Sequence, residues 1–510
     1  RALVPRHGGI SASNRRSEFG LMDAEFLGVL AAKALPYPQR ELEEMWRTVL
    51  LNQFHDILPG TSIHEVYEVT KGEYAQIERM LDMLTCERLA AVTPPGDGVT
   101  VFNTTGFQRG DIVALGDCDA GALIDAEGVV HPVQQTEEGA VAYLPGLPAK
   151  GWKTFAKGAA SPPCDVFSLE GNILETPFYR VAFDEQGLLS SLFDKENRRE
   201  VLQRQKPANL FRMYEDKPIY YDNWDIDVYY TEKYWDVTDL QRYEWIEQGP
   251  VRATLALERR ASKSLIRQKI HFYAKSRRID FVTEVDWKER QHLLKVHFPV
   301  QVHSDEATFD IQFGNLTRKT HHNTSWDLAR FESCGQKWVD VSEGHYGVSL
   351  LNDCKYGYSI HDGDLALTLI KSGIEPNPVT DQEKHVFAYA LYPHAGTWRG
   401  AGTVSEAYNL NQPAYVVEGG RLGNVFSLAA IDVGNVVLET IKQAEDGDGV
   451  IVRLYECENA LTEAELTWNG VFTRADECDL LEREERTLAV TENRISLTMQ
   501  PYEIKTIRIR

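Results

Sequence analysis

Five residues, Pro94-Pro95-Gly96-Asp97-Gly98, divide the chain into two periodicities, and that division limits the fold more than any other feature. Before it, apolar residues recur at three-four spacing, as on one face of an α-helix. A first helix is predicted over 17–33, with Phe19, Met22, Phe26 and Leu30 as its stripe. Pro36 and Pro38 separate it from a second over 40–57, whose stripe is Leu42, Trp46, Val49, Leu50, Phe54 and Ile57. A third is predicted to open at Ser62, where Ser62 and Glu65 have capping-box spacing, and to run past Tyr74, Ile77, Leu81 and Leu84. Beyond residue 98 the pattern changes to the alternation of strands. It recurs over 180–183, 253–257, 279–285, 347–351 and 386–391, punctuated by Gly, Asn, Asp and Pro. The fold class this implies is α+β and mostly β: a three-helix bundle followed by antiparallel β-sandwich domains. The expected division is a bundle over 1–93, a small β domain over 94–163, a large central β-sandwich over 164–398 and a C-terminal β domain over 399–510. Residues 1–16 read as loop, and Ala159-Ala160-Ser161-Pro162-Pro163 as a linker.

With 510 residues and 43% apolar content the chain can bury several cores. A formal net charge of −22 argues against nucleic-acid backbones and anionic membrane surfaces, so neither is expected as a partner. Seven scattered cysteines with no CxxC pair read neither as a zinc finger nor as a disulfide framework, and fit a cytoplasmic protein. No stretch approaches 18 consecutive apolar residues.

The segment Asn52-Gln53-Phe54-His55-Asp56-Ile57-Leu58-Pro59-Gly60-Thr61-Ser62 carries the candidate chemistry. At about 100° per residue, His55 falls opposite the centre of the second helix's stripe. It therefore faces solvent or another domain. From the residues alone two readings stand: a helix C-terminal His answering the last carbonyls, or a metal ligand beside a carboxylate.

This segment closely resembles the zinc-ligand motif of glycoside hydrolase family 38, the class II α-mannosidases, in their cytosolic and bacterial branch. Other segments agree in order: Asn14-Arg15-Arg16-Ser17-Glu18, Tyr214-Glu215-Asp216 with Asp222-Asn223-Trp224-Asp225-Ile226-Asp227, His321 to Asp327, Leu350 to Tyr358, His385 to His394, and Pro501 to Thr506. The resemblance implies a retaining α-mannosidase, with one Asp as nucleophile and another as acid/base about 5 Å apart. It implies a zinc ion held by two His and two Asp that binds vicinal hydroxyls of the sugar. His55 corresponds to one of those His, and Asp56 to a residue that hydrogen-bonds the sugar.

The family's nucleophile, acid/base and other three ligands lie in an N-terminal barrel ahead of the bundle, and no part of this sequence reads as that domain. The chain is therefore expected to be the C-terminal portion of a mannosidase, with no catalytic residue of its own. Its partners would be an α-mannoside or oligosaccharide and the missing N-terminal domain. A homo-oligomer is left open. Alone it is expected neither to hold zinc tightly nor to cleave α-mannosides. Tyr221, Asp222, Trp224 and Asp225 form an aromatic-acidic loop that either reaches the sugar site or is a turn with a buried Trp and solvated carboxylates. His321 and His322, on a strand, would face opposite sides. His385 and His394 are expected to be structural, and Glu375, Asp381 and Glu383 solvated. The alternative to an enzyme portion is a non-catalytic carbohydrate-binding, regulatory or structural subunit.

Overall fold

A computed structural model describes residues 9–159 and 166–510, so the expected linker lies almost wholly outside the described residues. Helix α1 covers Ile10–Leu30, α2 Gln39–Asn52 and α3 His64–Val92. Their shared core is Leu21, Ala24, Leu42, Met45, Val49, Tyr74, Ile77, Leu81 and Leu84. Close approach needs a missing side chain: a Cβ on Gly20 would lie 2.8 Å from Cδ1 of Leu81.

Helix α1 begins seven residues earlier than its apolar stripe predicts. Its first two turns are polar, yet Asn14, Arg15 and Ser17 are buried. Arg15 reaches into the β part of the molecule, while Asn14 accepts from Gln53 and Tyr74 within the bundle, so no apolar signal marks this stretch. Further along, Phe26 and Leu27 join Leu438, Leu454 and Trp468 in the core of the C-terminal sheets. A helix enclosed on all sides shows no stripe.

Helix α2 ends one turn before the predicted break. Leu50 and Phe54 are therefore 60% and 52% exposed, and do not continue the buried stripe of Leu42, Met45 and Val49. The predicted capping box at Ser62 does not form. Helix α3 begins at His64 with Ile63 at its N-cap, and Ser62 Oγ instead donates to the Asp56 carbonyl at 2.7 Å.

After residue 98 the chain is antiparallel sheet almost throughout. The sheet that starts at Val99–Asn103 is completed by Tyr415–Glu418 and Val425–Ser427, so chain from far downstream closes it. A nine-stranded and a six-stranded sheet enclose the largest core, with Phe281, Leu391, Leu255, Val296, Phe298 and Leu367 among its members. The C-terminal four- and five-stranded sheets enclose another, closed by Leu466, Ile495, Leu454 and Ile507. Central strands such as Tyr346–Asn352 are buried on both faces, which blurs the two-residue alternation. The reason is a helix that sequence periodicity missed, Thr403–Asn411. With Trp398 it covers Trp338, Leu351 and Ala390 on the back of the sheet.

A buried cation joins bundle and sandwich. Arg15, 3% exposed, donates from Nη1 to the carbonyl and Oδ1 of Asn352 at 3.2 and 3.0 Å, and from Nε to the Tyr356 hydroxyl at 3.2 Å. Its guanidinium also lies 4.3 Å from the Tyr356 ring centroid. Asn352 Oδ1 accepts in addition from the backbone of Cys354 and Lys355.

Arg15→Met should cost about 2–4 kcal/mol in urea unfolding, because hydrogen bonds from a buried charge are lost. Arg15→Lys should recover only part of it, lacking the planar fork; full recovery would contradict the role given to the fork. Glu25, buried and accepting from Trp46 Nε1 at 2.8 Å, has its carboxyl pushed by burial from 4.5 to about 7. It binds its proton more tightly folded than unfolded, so stability falls as pH rises through that interval. Glu25→Gln should abolish a fall of at most about 3 kcal/mol. Equal slopes for the two proteins between pH 4.5 and 7 in denaturant titrations would rule this out.

Candidate functional site

The turn that carries His55 is fixed from both ends. Asn52, the last residue of α2, donates to Glu73 Oε2 at 2.8 Å and accepts from Thr70 Oγ1 at 3.1 Å. Gln53 Nε2 donates to Asn14 Oδ1 at 3.0 Å and to Glu18 Oε1 at 2.7 Å. Burial pushes the Glu18 carboxyl up, while Arg15 pulls it down. Two segments distant in sequence, 14–18 and 52–53, thus form one polar layer beneath the turn. On the far side the Asp56 carbonyl accepts from Thr61 N, Ser62 Oγ and Tyr67 Oη at 3.2, 2.7 and 3.2 Å. Gly60 takes φ +92°, which allows the chain to reverse after Pro59.

Held this way, the His55 side chain is 67% exposed and points away from the bundle core. Its Nε2 lies 3.3 Å from Asp56 Oδ2, and Asp56 Oδ1 accepts from Thr61 Oγ1 at 3.0 Å. The ring lies 4.2 Å from that of Phe54 and meets the Trp224 ring edge-on at 6.3 Å. Of the four loop residues singled out in sequence, Trp224 is therefore the one brought to His55, and it is 54% exposed, not buried. Tyr221, at φ +56°, is 76% exposed, and Asp225 is also at the surface. Asp222 turns inward: its carboxylate accepts from Ile374 N, and its carbonyl accepts from Lys371 Nζ at 3.0 Å. Asn223 anchors the same turn by donating to Thr380 Oγ1 at 2.8 Å. Gly373 is what lets Asn223 in, since a Cβ there would fall 1.8 Å from Asn223 Oδ1.

The other histidines separate clearly. His321 and His322 lie in a bend, not on a strand. His322 stacks on His361 at 4.1 Å, and His321 Nδ1 is 3.6 Å from Asp327. The Asn323 to Asp327 motif is a capping box, Thr324 with Asp327, that starts the one-turn helix Ser325–Leu328. His394 is buried and pairs with Asp340 at 2.8 Å, as a structural residue does. Asp381 and Glu383 are half-buried, not freely solvated, and they converge on buried His385. Reading the three residues separately hid that cluster; their alternate spacing was its only sequence signal.

As a metal position, His55 supplies one imidazole with a carboxylate behind it. Among the described residues no third donor joins it, since the sole grouping of three is Asp381, Glu383 and His385. The donor set fits one corner of a zinc shell and does not by itself make a site.

Three family models match the chain. The α-mannosidase middle domain covers residues 7–92, the glycosyl hydrolases family 38 C-terminal domain 174–379, and the family 38 C-terminal β-sandwich domain 435–507. The chain belongs to glycoside hydrolase family 38 and carries its middle and C-terminal domains. Alpha-mannosidase 2C1 of Homo sapiens is 33% identical over 98% of this chain and 49% of its own length. The alpha-mannosidase of Saccharomyces cerevisiae is 29% identical over 97% and 46%. The chain thus spans about half the length of the curated relatives it matches. An alpha-mannosidase of Enterococcus faecalis shares the fold, with a TM-score of 0.82 at 17% identity over 98% of this chain and 67% of that one.

Gln53→Ala should loosen the His55 turn without unfolding the bundle. The expected signs are a loss of about 1–2 kcal/mol and faster exchange of the amides of 54–61. Unchanged exchange there would show that Gln53 does not hold the turn.

Proposed function

We propose that this chain is the portion of a retaining, zinc-dependent α-mannosidase that completes the metal shell and the sugar-facing surface. The observation that carries the reading is His55: an exposed imidazole on a turn hydrogen-bonded from both ends, with Trp224 beside it. Ordering a turn this thoroughly costs conformational entropy, and folding of the bundle alone gives no reason to present a ring to solvent. When bound, zinc would position vicinal sugar hydroxyls, with His55 as one of its ligands. Asp56 would orient the imidazole and accept from a sugar hydroxyl. Trp224 offers an apolar face for a pyranose ring. In this reading Tyr221 and Asp225 border the substrate, and Asp222 acts through the loop it holds. The nucleophile and acid/base would come from the remaining half of the family's length.

Exposed Leu50, Leu51, Phe54 and Ile63 around the turn fit a surface that this remaining polypeptide covers. Six cysteines free of disulfides among the described residues support a reducing, cytoplasmic setting. No helix among the described residues is long and apolar enough to cross a membrane.

In a polypeptide of the relatives' full length, His55→Ala should lower kcat/KM on an aryl α-mannoside by about a hundredfold or more. Trp224→Ala should act mainly on KM. The 510-residue chain alone should show no turnover; measurable hydrolysis by it, or full activity of the His55 variant, would refute the proposal. Heat on titrating the chain alone with mannose would favour a carbohydrate-binding subunit instead.

A further inference from the structure

Where the loop 373–383 runs into the strand Lys384–Ala395, three alternate residues come together. One donor atom each from Asp381, Glu383 and His385 lies within 4.8 Å of the others. His385 is 2% exposed, and its Nε2 is 2.8 Å from the Asp381 carbonyl oxygen. A carbonyl only accepts, so Nε2 carries the ring proton and Nδ1 keeps a lone pair. Nδ1 and Asp381 Oδ1 face a common point, each 3.8 Å from where a Cβ on Gly9 would sit. The Asp381 carboxylate accepts no hydrogen bond among the described residues, and burial pushes its pKa up.

The charges facing the cluster are two lysines. Lys71 of α3 puts Nζ 2.8 Å from Glu383 Oε2, while its side chain is 43% exposed. Lys355 holds its ammonium over the Phe387 ring at 4.5 Å. A half-exposed ammonium on one carboxylate leaves the other carboxylate and the buried imidazole lone pair without a hydrogen-bond partner among the described residues. All three residues line a cleft of about 380 Å³ between bundle and sandwich, so an ion can reach them from solvent.

We propose that Asp381, Glu383 and His385 bind a divalent metal ion, zinc being the best match to one nitrogen and two oxygen donors, at a site separate from His55. Three protein ligands leave a fourth position for water. The ion would fix the loop 373–383, which carries the contacts of Ile374 and Thr380 to the Asp222–Asn223 turn. It would thereby stiffen the support of Trp224 while touching neither Trp224 nor the sugar.

The test is calorimetric titration of the EDTA-treated 510-residue chain with zinc chloride, in a His55→Ala background so that binding does not depend on the proposed catalytic ligand. One equivalent should bind. Asp381→Asn and Glu383→Gln should each weaken it about tenfold or more. Lys71→Met, which removes the competing ammonium and keeps the stem, should tighten it. Circular dichroism establishes that each variant is folded, and Glu383, the more accessible ligand, serves if the buried positions do not tolerate change. No binding in the His55→Ala chain, or binding unaffected by both carboxylate variants, would overturn the proposal. Weaker binding by Lys71→Met would do so too. None of these outcomes bears on mannoside cleavage, so this inference and the proposed function fail separately.

Discussion

The Arg15 guanidinium, buried between Asn352 and Tyr356, is the contact on which the rest of the structure depends. A charge taken out of water is tolerated only when its donors are answered, and here a carbonyl, an amide oxygen, a hydroxyl and an aromatic face answer most of them. The same Asn352 oxygen caps the turn at Cys354 and Lys355, so the cation locks a sheet corner as well as a helix. One residue before it, Asn14 accepts from Gln53, and one turn after it Glu18 does the same. The helix that fixes bundle to sandwich is therefore also the floor of the His55 turn. Rigid seating of α1 and rigid display of that imidazole share one set of hydrogen bonds.

That shared network explains why polar residues occupy positions where a bundle would otherwise place leucine. Asp23, almost fully buried, accepts from Gln412 and Tyr415 at 2.8 and 2.7 Å and repeats the device two turns further along α1. Apolar contact alone gives cohesion without fixing rotation about the helix axis. Paired polar groups fix it, because any other rotation would leave them buried and unanswered.

Legibility from sequence followed the same physics. The change of period at residues 94–98 was plain, because backbone geometry imposes it whatever the tertiary contacts. The first turns of α1 were missed because their buried residues are Asn14, Arg15 and Ser17, polar types that leave no apolar period, and Arg15 answers to Asn352 far along the chain. The helix Thr403–Asn411 was missed because nine residues give too few turns to show a stripe, and its burial is decided by the sheet it covers. At the site, only the exposure of His55 was legible: the ring leaves from a turn beyond the end of α2 at Asn52, so the hydrogen bonds of Gln53 and Asp56, not helix phase, set its direction. The turn of Asp222 toward Ile374, and the meeting of Trp224 with His55, were not, since loops follow tertiary partners and carry no period. The convergence of Asp381, Glu383 and His385 needs a strand entry to align them, and only the folded chain shows where that strand begins.

The two acidic-histidine places differ in how their charges are answered, and that difference bears on their roles. At His55 the imidazole is open and its carboxylate neighbour is held by Thr61, so each group keeps one side free toward solvent. Such an arrangement suits a ligand contributed to a shell assembled from more than one part of a protein, as the proposed function requires. At His385 the ring is enclosed, its Nε2 proton already committed to Asp381, and the opening leads into a cleft within this chain. A cation there would meet a ready-made set of donors and answer to the local loop. The enclosed cluster and the exposed ring meet through the segment 373–380, whose glycine admits Asn223 and whose backbone receives Asp222. Any force that stiffens that segment reaches Trp224 through the Asp222–Asn223 turn and not through the His55 imidazole beside it. One half of the proposed sugar platform can therefore be tuned from behind while His55 stays fixed by the bundle.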